Sequence, residues 1–169
     1  MSLKERLLLL GYKKKSLHAN LIAFQNDFKI SAEIKLHRLT IPRLKELTSG
    51  NTSLNTSLNL LARTIYSETR GEPYRGMVAV GAVVLNRLKS PQFPNTLVKV
   101  ITEPLAFTVV SNGQFWLKPN RRAYRAAREA LKGNDPTAGS LFFFNPDKST
   151  STWVKRLRLK LRIGRHVFA

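Results

Sequence analysis

The chain has 169 residues, with 29 lysines and arginines against 10 acids, a formal net charge of +19 and no cysteine. A chain that is 43% apolar and 23% charged is globular and long enough for one ordinary domain with a small appendage; wholesale disorder, a disulfide framework, a thiolate metal site and a cysteine nucleophile are excluded. The charge points to an anionic partner, and nucleic acid, an anionic membrane and an acidic wall polymer all qualify.

Residues 1–49 show helical spacing three times, in Leu3, Leu7, Leu10, in Leu21, Phe24, Phe28, and in Ile41, Leu44, Leu47. They read as a small module of three short helices. The apolar run Leu7–Leu10 ends at Gly11, too short for the about 7–15 residues of a signal-peptide core, so no signal peptide is recognised. No apolar run approaches the roughly 18 residues of a membrane span. Residues 50–57, rich in Ser, Thr and Asn, have linker composition. Residues 58–169 read as a second unit.

That unit opens with a predicted helix over 58–70, with Leu58, Leu61, Ile65 and Glu68 on one face and Gly71 and Pro73 as the stop. A second helix over 74–89 is apolar almost all round through Met77–Leu85, which predicts burial. A short helix over 95–102 follows. Phe107–Val110 and Gln114–Trp116 read as extended pieces around a turn at 111–113. Asn120 caps an amphipathic helix to Lys132, with Gly133 just past its end. Leu141–Phe144 reads as a strand. From Lys155 to Ile163 leucines alternate with Arg156, Arg158, Lys160 and Arg162, which predicts a half-buried strand with a basic outer face. The last 19 residues hold six basic groups and no acid.

Among the ten acids Glu68 stands apart. It lies on the apolar stripe of its helix, where burial raises a carboxyl pKa and keeps a general acid protonated near neutrality. An ion pair with Arg63, Arg70 or Arg75 is the alternative. Glu72 follows about 40° further round by helical geometry. His18, His37 and His166 show no metal-ligand spacing, and no nucleotide-binding glycine motif or nucleophile elbow is present; no metal or cofactor is expected. Asn86, Thr108, Gln114 and Asn145 are polar residues among apolar ones, placed either to hydrogen-bond a sugar or amide or to satisfy local backbone. Trp116, Phe143 and Trp153 are able to stack on sugar faces or to serve as core.

The stretch Leu61-Ala62-Arg63-Thr64-Ile65-Tyr66-Ser67-Glu68-Thr69-Arg70-Gly71-Glu72-Pro73, then Gly76–Val80, Val83-Val84-Leu85-Asn86-Arg87, Ser90–Thr96, Ala106-Phe107-Thr108, Gly113–Trp116, Asp135-Pro136-Thr137, Phe143–Pro146, Trp153 and Ile163–Phe168 resembles the SleB/CwlJ-type cell-wall hydrolases, the spore cortex-lytic enzymes. Leu7–Tyr12, Leu21–Gln25 and Leu39–Leu44 resemble, more loosely, a three-helix peptidoglycan-binding repeat that lacks its usual Asp-Gly-x-Phe-Gly loop. The resemblance implies an α+β fold related to lysozyme and the transglycosylases, with a helical core, a small antiparallel sheet and an all-helical N-terminal module. It implies peptidoglycan glycan-strand cleavage by lytic transglycosylation in spore germination, at the cell wall or spore cortex, with Glu68 as the catalytic acid. Glu72, Asn86, Phe107, Thr108, Gln114, Trp116, Asn145 and Trp153 are then the substrate-binding set. Arg156, Arg158, Lys160 and Arg162 are candidates for docking on anionic wall polymers. The chain departs from the family at Leu105, where a glycine is usual, at the phenylalanines before Asn145, and at Lys155. A decayed wall-binding protein and a basic nucleic-acid-binding protein are the alternatives.

Overall fold

A computed structural model of the chain describes residues 1–31, 38–104 and 106–169, the side chain of Lys155 excepted. His37, Leu105 and the Lys155 side chain therefore lie outside the described residues. The first three helices are α1 (Leu3–Leu9), α2 (Leu17–Asp27) and α3 (Thr40–Leu47). Ser2 and Ser16 cap the first two through their hydroxyls, Ser2 in a reciprocal box with Glu5.

Helix α4 runs Ser53–Glu68, so the polar segment read as a linker is helical from Ser53 onward. The Thr52 hydroxyl accepts from the Asn55 N–H, and Thr56 is buried. The Ser/Thr/Asn composition is that of a capped helix start, which a composition argument does not separate from a linker. The apolar core is also continuous across this point. Leu7, Phe24, Phe28 and Leu44 belong to the same cluster as Leu61, Ile65 and Phe115, and the Phe28 ring lies 5.3 Å from Phe115 and 5.4 Å from Trp116. Three short helices bury too little surface alone and share the core of their neighbour.

Helix α5 (Tyr74–Lys89) is buried from Gly76 to Val84, as its all-round apolar character predicts. At Gly81 a Cβ would stand 2.9 Å from Ile65 Cδ1 and 3.0 Å from Ala130 Cβ, so glycine lets α4, α5 and α8 close on one another. Helix α6 (Leu97–Thr102) is capped by Thr96. Phe107–Val110 does not form the expected strand: Thr108–Ser111 is a single helical turn, α7. Val109 and Val110 are both buried, which one turn of helix allows and an alternating half-buried strand does not. Gln114–Trp116 is a 3₁₀ turn entered through Gly113 at φ +78°. Helix α8 (Arg121–Leu131) has its expected Asn120 cap and buries Ala123, Ala126, Ala127 and Ala130 between α4 and α5.

Three short strands complete the α+β fold: β1 (Phe143–Phe144), β2 (Leu161–Ile163) and β3 (His166–Phe168). They form an antiparallel sheet in the order β1-β3-β2, with Phe143 and Leu161 both opposite Phe168. The long basic strand expected over 155–163 is present only as β2. Val154–Arg156 is a 3₁₀ turn, and Leu159 is 53% exposed. The partner strand β3 is three residues long, so the alternation has no ladder to follow beyond Lys160, whose N–H reaches Phe168 O at 2.8 Å. Arg156, Arg158, Lys160 and Arg162 are all exposed, without forming one sheet face. Among the described residues no helix is long and apolar enough to cross a membrane.

Candidate active site

Helix α4 ends at Glu68. Thr69 closes it and donates its hydroxyl to Ile65 O at 2.6 Å, and the chain turns away through Gly71 at φ +75°. The Glu68 side chain points into the protein: Oε1 is buried and has no hydrogen-bond partner. Burial pushes the carboxyl from its ordinary 4.5 up to about 7, against the opposing pull of the Arg87 cation. Such a group holds its proton at mild pH and accepts one back after giving it away. The alternative of an ion pair with a neighbouring arginine is not realised. Arg63 is paired with Glu46, Arg70 lies 5.7 Å over the Tyr66 ring, and among the described residues no ion pair involves Glu68.

Arg87 received no role from the sequence, although it sits in the matched Asn86-Arg87 stretch. It is a buried cation in the last turn of α5, just beyond the apolar run. Its Nε donates to Leu141 O at 2.7 Å, and its guanidinium lies 5.2 Å from the Phe93 and Phe107 ring centres and 5.5 Å from Phe142. It thus ties α5 to the segment leading into β1. The neighbouring Asn86 is spent on the same segment, donating Nδ2 to Asp135 Oδ2 (2.9 Å) and Ser140 O (3.1 Å). Asp135 is held below the usual carboxylate range: hydrogen bonds from Thr137, Asn86 and Gly139 outweigh its burial.

Glu72, expected on the substrate, is instead enclosed. Arg165 donates its backbone N–H to Oε2 at 3.0 Å and its Nε to Oε1 at 2.6 Å, and His166 Nδ1 is 4.0 Å away. Burial alone would raise its pKa; these hydrogen bonds and charges overcome that and leave it lowered. Gly164, at φ +58°, permits the approach, since a Cβ there would collide with Glu72 Oε2 and Pro73. The two carboxylates four residues apart are therefore opposite in kind.

The other expected substrate residues are dispersed among different surroundings. Phe107 is buried against Arg87 and Phe143. Thr108 and Gln114 are exposed, at the starts of α7 and of the 3₁₀ turn, two elements that pack on α4. Asn145 is half-buried and its side chain accepts the Asp147 N–H within a turn. Trp153 is 53% exposed and meets Phe142 edge-on at 5.4 Å. Trp116 faces the N-terminal helices, with the Arg43 guanidinium 4.5 Å above its ring.

A bundle of α4, α5 and α8 with a small sheet beside it, ending in a half-buried glutamic acid whose Oε1 is enclosed without a partner, is a lysozyme-like α+β domain with Glu68 as its candidate acid. A family model described as Cell Wall Hydrolase matches residues 71–169, and the chain belongs to that family. Glu68 stands three residues before the matched span. The chain is 51% identical over 115 residues to the spore cortex-lytic enzyme of Bacillus subtilis (strain 168), an alignment covering 68% of this chain and 37% of that protein. The chain thus spans little more than a third of that relative's length. The crystal structure of the catalytic domain of the Bacillus cereus SleB protein matches with a TM-score of 0.63 and 49% identity, over 66% of this chain and 88% of that one. The catalytic domain of the germination-specific lytic transglycosylase SleB from Bacillus anthracis matches with a TM-score of 0.64 and 48% identity, over 66% and 92%.

Proposed function

We propose that the protein cleaves the glycan strands of peptidoglycan, with the spore cortex as its wall and germination as its setting. The chemistry is lytic transglycosylation. Glu68 gives its proton to the glycosidic oxygen on the far side of an N-acetylmuramic acid residue, and the C1–O bond breaks. The resulting carboxylate takes the proton of the muramyl C6 hydroxyl as that oxygen attacks C1. A 1,6-anhydro ring closes, no water is consumed, and the acid is regenerated. One carboxyl that titrates near neutrality suffices for both steps, so Glu72, already occupied by Arg165, is not required.

The observation that carries this reading is the half-buried Glu68 carboxyl at the end of α4, whose Oε1 is enclosed with no hydrogen-bond partner. The relatives' names support the substrate and setting. Purified cortex sacculi digested by the protein, with fragments weighed by mass spectrometry, test it. Anhydro-muramyl ends are expected; reducing muramic acid ends would replace transglycosylation by hydrolysis, and intact sacculi would leave a wall-binding protein without activity. The exposed Arg156 and Arg158, which form no ion pair among the described residues, add electrostatic docking on the anionic wall.

A further inference from the structure

The end of the bundle that carries Glu68 also holds a cavity of about 300 Å³, which the cleavage chemistry does not use. It lies where α4 stops and α5 and α8 begin, and Tyr66, Arg70, Glu72, Asn120 and Arg122 supply its polar lining. Its volume is at the lower end of small-ligand sites, about 300–1,000 Å³. Arg70 and Arg122 are exposed and form no ion pair among the described residues. Apart from Glu68, the acids nearest these arginines are already committed. Glu72 is closed by Arg165. Glu129 accepts the Tyr74 hydroxyl at 2.6 Å and Asn134 Nδ2 at 3.1 Å, and lies 3.7 Å from Arg125. The first turn of α8 brings Arg121 and Arg122 and no acid. The cavity is therefore a polar recess with two guanidinium groups outside any ion pair and one carboxylate, Glu72, that Arg165 already neutralises, and guanidinium matches a carboxylate with paired hydrogen bonds.

We propose that Arg70 and Arg122 bind a carboxylate of the peptide stem carried by muramyl residues. This rests on the glycan-cleaving reading of Glu68. A strand lying across Glu68 hangs its peptide from the muramyl residue at the scissile bond. Arg70 follows Glu68 by two residues, and the stem is assigned to the cavity while the sugar occupies the acid. The site makes the protein a reader of the peptide as well as the glycan.

The test is calorimetric binding to the full chain carrying Glu68→Gln, which separates recognition from turnover. The probes are a disaccharide bearing its peptide stem, the same disaccharide without the peptide, and inorganic phosphate. Peptide-bearing fragment is expected to bind at least about 10-fold more tightly than the bare one, a factor typical of one charge-assisted contact. Arg70→Gln and Arg122→Gln should each remove most of that difference and leave binding of the bare disaccharide unchanged, and Arg122→Lys should restore part of it. Both residues are exposed, so unchanged circular dichroism melts will accompany the loss. Equal binding of the two fragments, or an undiminished preference in the double variant, overturns the proposal. So does phosphate competing as well as the peptide fragment, which would make the recess a phosphate site. If the parent cleaves no sacculi while the peptide-dependent binding persists, the cleavage reading fails and this one stands; cleavage without peptide preference fails this one alone.

Discussion

The middle of α4 ties most of its inward polar atoms down. Asn59 donates Nδ2 to Leu47 O at 3.1 Å and Ser49 Oγ at 2.9 Å, and Arg63 pairs with Glu46 while donating Nη1 to Phe115 O (3.4 Å) and Leu117 O (3.3 Å), its Nε alone lacking a partner. At the last residue of the same helix, Glu68 Oε1 is buried with nothing to bond to. The difference separates two uses of a buried polar group. Where partners surround it, it joins α4 to α3 and to the 3₁₀ turn and stabilises the fold. Where they are withheld, the group destabilises the fold in its charged form and gains a pKa suited to proton transfer.

The sharpest way to break this comparison is Glu68→Gln. Activity on cortex sacculi should fall by at least about 100-fold, the scale of a general acid. Stability should move the other way, and only at higher pH. The Glu68 pKa is about 7 when folded against an ordinary 4.5, so the folded protein keeps a proton that the unfolded chain loses. The favourable contribution is complete below about pH 4.5 and is lost as pH rises through about 7. Denaturant melts should show the parent losing up to about 3 kcal/mol across that window, with the variant flat by comparison and more stable at pH 8. Activity of the parent should decline only as pH rises through about 7, where the folded acid deprotonates. A variant no more stable at pH 8 than the parent would mean that Glu68 is not paying a burial cost.

Five residues earlier in the helix, Arg63→Met should lower stability by about 2–3 kcal/mol, less than for a fully buried pair because Glu46 is 49% exposed. The turnover of the folded fraction should stay within about twofold, since Arg63 does not touch the reacting atoms; a drop as large as that of Glu68→Gln would erase the distinction between the two uses of a buried polar group. Asn59→Ala should cost about 1–2 kcal/mol by the same measurement. Replacing Arg156, Arg158, Lys160 and Arg162 with Gln should leave stability unchanged within about 0.5 kcal/mol. Its effect belongs to sacculus binding, whose fall with rising salt should flatten. A salt slope equal to the parent's would leave the basic segment as a device against aggregation.

Much of this contrast was legible before any coordinates. The apolar stripe through Leu61 and Ile65 already placed Glu68 inward, and the all-apolar run at Met77–Leu85 already made α5 the buried helix. Local signals at Asn120 and Gly133 fixed α8. The partners were not legible, because they come from far along the chain. Glu72 is closed by a residue 93 positions away, and Arg87 is surrounded by Phe93, Phe107 and Phe142. Two strand readings failed for different reasons. Two adjacent valines fit a helical turn as well as a strand, and alternating leucines at 157–163 signal a sheet only when a partner strand is long enough to meet them. The start of α4 at Ser53 was not legible because a helix cap and a linker share their residues.

The chain has two tryptophans, and they report on different parts of the molecule. Trp116 is half-buried between Phe28 and the Arg43 guanidinium. Trp153 stands 53% exposed, three residues before Arg156. The protein therefore carries an optical label at each place. Iodide, drawn by the positive surface, should quench Trp153 emission first, and added salt should relieve that quenching. The bluer emission of Trp116 should persist until the N-terminal helices leave the 3₁₀ turn beneath them, so a single cuvette can follow wall docking and the seating of those helices as separate colours.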